Sequence, residues 1–109
     1  MRSAGLTRRQ VLLTGALAIV ATDARAHNGT IHVTVEKMAF TPSQVTTRPG
    51  DTIEWTNKDR VAHTATVAGG WEVMIPAGKV GSRVVEATDQ GDYYCRLHPN
   101  MKGSIIVSA

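Results

Sequence analysis

Cys95, His98 and Met101 stand at intervals of three near the C-terminal end of the 109-residue chain, in the run Gly91-Asp92-Tyr93-Tyr94-Cys95-Arg96-Leu97-His98-Pro99-Asn100-Met101-Lys102-Gly103. Thiolate, imidazole and thioether are all metal donors, and a tight loop at the end of a strand can fold back so that three donors so spaced converge on one point. A fourth donor has to come from elsewhere. His63 is the natural candidate, because it follows Trp55-Thr56-Asn57-Lys58-Asp59 at the start of another expected strand. Two imidazoles, one thiolate and one weak axial thioether form the ligand set of a blue-copper electron-transfer site. The sulfur donors suit Cu(I) and the imidazoles suit both oxidation states. One copper ion held by His63, Cys95, His98 and Met101 on a rigid scaffold would therefore gain or lose an electron with little rearrangement.

Taken singly, these residues have plainer explanations, since a buried cysteine is commonly a small hydrophobe and a methionine a filler of core space. The joint pattern argues for the metal. Four rivals use some of the same residues. A periplasmic copper-binding or delivery protein would employ the same donors but need exchangeable metal, and Met38 and Met74 stand alone rather than in a cluster. A zinc site of Cys-His-His type would gain nothing from Met101. His27, as a new N-terminus, could chelate copper through amine and imidazole, as in copper monooxygenases, which need a second histidine and a flat binding surface. A multicopper enzyme would need a second set of ligands.

The elements that must position these donors read as strands. Ile31, Val33 and Val35 alternate with His32, Thr34 and Glu36, the period of a half-buried strand, with His32 facing solvent. Further extended segments are expected over 45–48, 52–57, 63–67, 82–86, 93–95 and 104–107, separated by turn-forming combinations such as Pro49-Gly50-Asp51, Gly69-Gly70, Pro76-Ala77-Gly78 and Gly91-Asp92. No window after the first 26 residues keeps a helical period. The fold class is all-β, a two-sheet sandwich or small barrel with Trp55, Phe40 and the valines in its core. Trp71 and Met74 fall between turn signals and are assigned to a cross-over loop.

The first 26 residues read differently. An arginine pair at Arg8 and Arg9 precedes an apolar run from Val11 to Ala21 that is interrupted at Thr14 and Gly15, and Ala24-Arg25-Ala26 has the small residues of a cleavage site. The run falls short of the roughly 20 residues that cross a bilayer. Residues 1–26 are therefore expected to be a signal peptide, of twin-arginine type, cleaved after Ala26, with 27–109 as one domain. Four of the 12 basic residues and one of the 9 acidic ones lie in that leader. The remainder has eight of each, so the formal +3 of the whole chain gives no support to nucleic-acid or membrane binding. The single cysteine, Cys95, excludes an internal disulfide and stands far from the cut, which argues against a lipid anchor.

These residues resemble the cupredoxins, the amicyanins most closely and plastocyanin and pseudoazurin more distantly. The likeness runs through Glu36-Lys37-Met38, Arg48-Pro49-Gly50-Asp51-Thr52, Glu54-Trp55-Thr56-Asn57, His63, Gly91-Asp92-Tyr93-Tyr94-Cys95 and His98-Pro99 to Met101-Lys102-Gly103. It implies a Greek-key β-sandwich over 27–109, with His63, Cys95 and His98 equatorial and Met101 axial on one type 1 copper. It also implies a soluble, monomeric, periplasmic electron carrier rather than an enzyme. His98 would then be the electron port, facing redox partners such as a dehydrogenase donor and a c-type cytochrome acceptor. Arg60, Arg96 and Lys102 could form a basic rim for an acidic partner, or be ordinary solvated charges.

Three departures from the family pattern stand out. The domain begins almost at its first strand, without the N-terminal extension of the amicyanins. Thr64 replaces an asparagine whose side chain ties the two ligand segments together, and threonine is expected to supply only part of that bonding. Leu97 stands where amicyanins have proline; its N–H is expected to reach the Cys95 sulfur, so that Leu97→Pro would lower the reduction potential.

Overall fold

The computed structural model describes residues 29–108, which form two β-sheets packed face to face. One sheet has the order β2-β1-β4-β7, from β1 (Thr30–Glu36), β2 (Ala39–Thr41), β4 (Thr52–Asn57) and β7 (Val80–Val84). The other has the order β3-β9-β8-β5-β6, from β3 (Gln44–Thr47), β5 (His63–Thr66), β6 (Glu72–Ile75), β8 (Gly91–Tyr94) and β9 (Lys102–Val107). Pairs β1·β4 and β3·β9 are parallel and the rest antiparallel. This is the all-β sandwich expected from the alternation. The signal peptide expected at 1–26, and His27 with it, lie outside the described residues.

Period two explains which residues face inward. In β1, Val33 and Val35 are buried while His32 and Glu36 are exposed, and in β4 Ile53, Trp55 and Asn57 are buried between half-buried neighbours. Trp55 is fully buried and donates its indole N–H to the Tyr93 hydroxyl at 3.1 Å. That bond joins the two sheets at the centre of the core, where Phe40 packs edge-on against Tyr93. Burial pushes the Tyr93 phenol up to about 12, so it stays a hydroxyl. Gly103, paired with Tyr93 in the β8·β9 ladder, lies so close to that ring that any Cβ would collide with it.

Two strands were not expected. β6 takes the place of the cross-over loop assigned to Trp71 and Met74: Met74 lies on it half-exposed, while Trp71, just before it, packs against the core. Its alternation is hidden because an apolar methionine occupies a solvent-facing position. β2 has three residues, too few to show a period. β7 begins at Val80 rather than Ser82, and its end valines Val80 and Val84 are exposed, again contrary to the simple pattern. Among the described residues, the one short helical element is a 3-10 turn at Ala87–Asp89.

Candidate metal centre

Three connections meet at one end of the sandwich: the β1–β2 turn, the β4–β5 loop and the β8–β9 loop. The last is closed on itself by backbone bonds, from Cys95 N–H to the Met101 carbonyl (3.0 Å), from His98 N–H to the Cys95 carbonyl (3.2 Å) and from Met101 N–H to the His98 carbonyl (2.9 Å). Two successive tight turns thus use the spacing of three to carry Cys95, His98 and Met101 around one loop. Cys95 and Met101 are buried, and His98 is half-buried. Buried Asn57 shapes the opposite connection, donating from its amide to the carbonyls of Val61 (2.8 Å) and Ile75 (3.0 Å) and accepting from Asp59 N–H (2.8 Å). This brings in His63, which is fully buried.

His63, Cys95 and His98 therefore come together as expected. The His63 and His98 Nδ1 atoms are 3.2 Å apart, and the Cys95 sulfur is 3.7 Å from the first and 3.6 Å from the second. A circle through these three atoms has a radius of about 2.0 Å. Protein metal–imidazole bonds are about 2.0–2.1 Å and metal–thiolate bonds about 2.3 Å, so the triangle fits one metal ion with only a small outward relaxation at sulfur. Met101 lines a surface depression beside His98, together with Met38, Leu97, Pro99 and Asn100.

Asp59 was not singled out as a functional residue, yet it orients His63. Its Oδ2 accepts from His63 Nε2 at 2.8 Å, and the carboxylate also accepts the backbone N–H groups of Lys37 (2.8 Å) and Met38 (3.1 Å). Lys37 and Met38 both have positive φ, and the carboxylate offsets that strain by satisfying both amides. Led by the Lys37 amide, these donors hold the Asp59 carboxyl below its ordinary value. An ionised carboxylate only accepts, so the His63 proton sits on Nε2 and the Nδ1 lone pair faces the other donors. No sequence period marks this pairing, because Asp59 lies in the irregular β4–β5 loop and His63 is the first residue of β5.

Two expectations about the neighbours change. The N–H that reaches the Cys95 sulfur belongs to Thr64, at 3.3 Å, and among the described residues Leu97 N–H makes no such bond. Leu97 is instead an exposed residue of the surface depression. Arg96 is not a free rim cation, since its guanidinium forms a two-point pair with Glu72 at 2.7 and 3.0 Å, and that pairing holds the Glu72 carboxyl below its ordinary value. Arg60 and Lys102 are exposed. His32 faces solvent beside Glu54, 3.2 Å away.

A family model described as cupredoxin-like domain matches residues 10–107. Amicyanin-alpha of Methylorubrum extorquens is 31% identical over 103 residues, covering 86% of this chain and 87% of that protein. Amicyanin of Paracoccus denitrificans is 30% identical over 111 residues, covering 86% and 83%. Among solved structures, amicyanin from Paracoccus versutus superposes with a TM-score of 0.62 at 27% identity, over 72% of this chain and 81% of that one. The Cu(I) form of an amicyanin variant does so with a TM-score of 0.64 at 26% identity, over 78% and 88%.

Proposed function

The chain belongs to the cupredoxin-like family, and from that premise we propose that it is a small electron carrier holding one copper ion through His63, Cys95, His98 and Met101. The observation that carries the proposal is the Nδ1–Nδ1–Sγ triangle, with edges of 3.2, 3.6 and 3.7 Å, built from the first residue of β5 and the β8–β9 loop. When bound, copper supplies a one-electron couple between Cu(II) and Cu(I).

The protein's own residues do the rest. Asp59 and the closed 95–101 loop hold the donors before metal arrives, so little reorganisation accompanies a change of charge. Thr64 N–H donates to the thiolate sulfur and withdraws electron density, which favours the reduced state. Burial of Cys95, His63 and Met101 excludes water and favours retention of the metal over delivery. His98, half-buried in a depression lined by Met38, Leu97 and Pro99, is the proposed port for partners such as a dehydrogenase and a c-type cytochrome. The leader pattern at 1–26 supports a periplasmic setting after cleavage following Ala26.

The test is to add Cu(II) to the purified protein. An intense blue sulfur-to-copper absorption that a mild reductant bleaches reversibly is the expected result. A colourless protein that takes up zinc instead would overturn the proposal.

A further inference from the structure

Behind the metal-facing atoms, five hydrogen bonds close a ring. Arg96 N–H donates to Thr64 Oγ1 (2.8 Å), and the Thr64 and Thr66 hydroxyl oxygens are 2.8 Å apart. Thr66 Oγ1 donates to Glu72 Oε1 (2.9 Å), and Glu72 accepts Nε and Nη2 of Arg96 at 2.7 and 3.0 Å. The members come from β5, the start of β6 and the residue after Cys95.

The sense of the hydroxyl chain follows from chemistry. A carboxylate only accepts, so the Thr66 hydroxyl commits its one proton to Glu72. Thr66 must then accept from Thr64, whose proton is committed in turn, so Thr64 accepts the Arg96 amide. The three bonds from the Arg96 amide through Thr64 and Thr66 to Glu72 run one way, the arrangement in which hydrogen bonds strengthen one another, and the Arg96 guanidinium donates to the same carboxylate from the other side.

The inner half of this ring abuts two of the proposed donors. Thr64 follows His63 and carries the N–H on the Cys95 sulfur, while Arg96 follows Cys95. The outer half, Glu72 and the Arg96 guanidinium, is exposed, where an ion pair adds little to stability. We propose that Glu72 and Thr66 are positioning residues of the metal centre. The Glu72 carboxylate sets the sense of the hydroxyl chain, and the chain fixes the spacing between the His63–Thr64 and Cys95–Arg96 segments, and with it the Thr64 N–H on the sulfur. The inference rests on the copper reading of the site.

Glu72→Ala, Thr66→Val and Thr66→Ser test it in two states. In the metal-free protein, amide hydrogen exchange of Arg96 is expected to quicken about tenfold in Glu72→Ala and Thr66→Val, the size of one lost hydrogen bond, and to return toward wild type in Thr66→Ser. In the copper-loaded protein, the first two variants are expected to shift the reduction potential and the sulfur-to-copper band in the same direction, and Thr66→Ser to restore both. Glu72 is exposed, so its variant keeps the proposal testable if Thr66→Val unfolds. A blue wild-type protein whose Glu72→Ala form keeps the wild-type potential, band and Arg96 exchange overturns the positioning role, as does failure of Thr66→Ser to restore them. A wild-type protein that never turns blue overturns the copper reading instead.

Discussion

Each end of the sandwich has a carboxylate that clamps a cationic or ionisable partner, and the two clamps leave different things over. At the far end, buried Asp89 accepts both Nε and Nη2 of Arg83 (2.8 and 2.9 Å) and the Glu86 backbone N–H (3.0 Å), while Arg83 lies 4.5 Å over the Trp71 ring. All three of these donors point to one protein acceptor. At the near end, Asp59 binds one nitrogen of His63 and leaves the second facing Cys95 and His98. Arginine has no lone pair to offer a metal, whereas histidine offers one once its other nitrogen is tied. The same device therefore closes the fold at one end and prepares a ligand at the other.

The contrast can be broken most severely at the near end. Cys95→Ser should abolish the blue absorption and the tight copper binding outright, while far-ultraviolet circular dichroism shows the sandwich intact; a serine variant that still turns blue would refute the ligand assignment. At the far end the same logic predicts loss of stability without loss of colour. Asp89→Asn removes the closer anionic partner of Arg83, leaving only the 3.8 Å contact with Glu86, and should cost about 2–3 kcal/mol in denaturant unfolding, with the copper spectrum unchanged.

A weaker cut at the near end is Asp59→Ala, which frees His63 and the Lys37–Met38 turn. Copper affinity should fall about 10–100-fold by competition with a chelator, the range for removing such an outer partner, and an unchanged affinity would show that the loop alone orients His63.

Acid sharpens the comparison further. Burial pushes the Asp89 carboxyl up, but the Arg83 and Glu86 hydrogen bonds outweigh it and hold the group below its ordinary value. Its contribution is present above the unfolded value, about pH 4, and is lost as the pH falls through the folded value. Metal-free wild type should lose stability below about pH 4, and Asp89→Asn should lose less over the same interval; parallel curves would assign acid sensitivity elsewhere. The smallest effect is expected from Leu97→Pro. No hydrogen bond is lost with the Leu97 N–H, so potential and copper retention should stay near wild type, measured by voltammetry.

The proposed donors were legible because their chemistry is rare and their spacing local: Cys95, His98 and Met101 can be read from a single loop. His63 was legible from its place at the start of a strand. The edge strand β6 was not, because solvent-facing Met74 breaks the alternation that reveals a strand. Thr64 was expected to replace only part of the bonding between the ligand segments. Its hydroxyl accepts the Arg96 amide and joins Thr66, Glu72 and Arg96 in a closed circuit that no residue pattern announces.

By itself the sequence determined the all-β class and the alternation that buries Trp55 and the valines of β1, and it named the three candidate donors of the loop, because period and residue chemistry are properties of short stretches. Only the tertiary structure decided which N–H faces the sulfur, which carboxylate fixes the His63 tautomer and where Arg96 finds its partner. Those contacts join residues 4 to 32 positions apart in irregular loops and on the neighbouring strands β5 and β6, where distance is set by how the chain packs and not by any repeat along it.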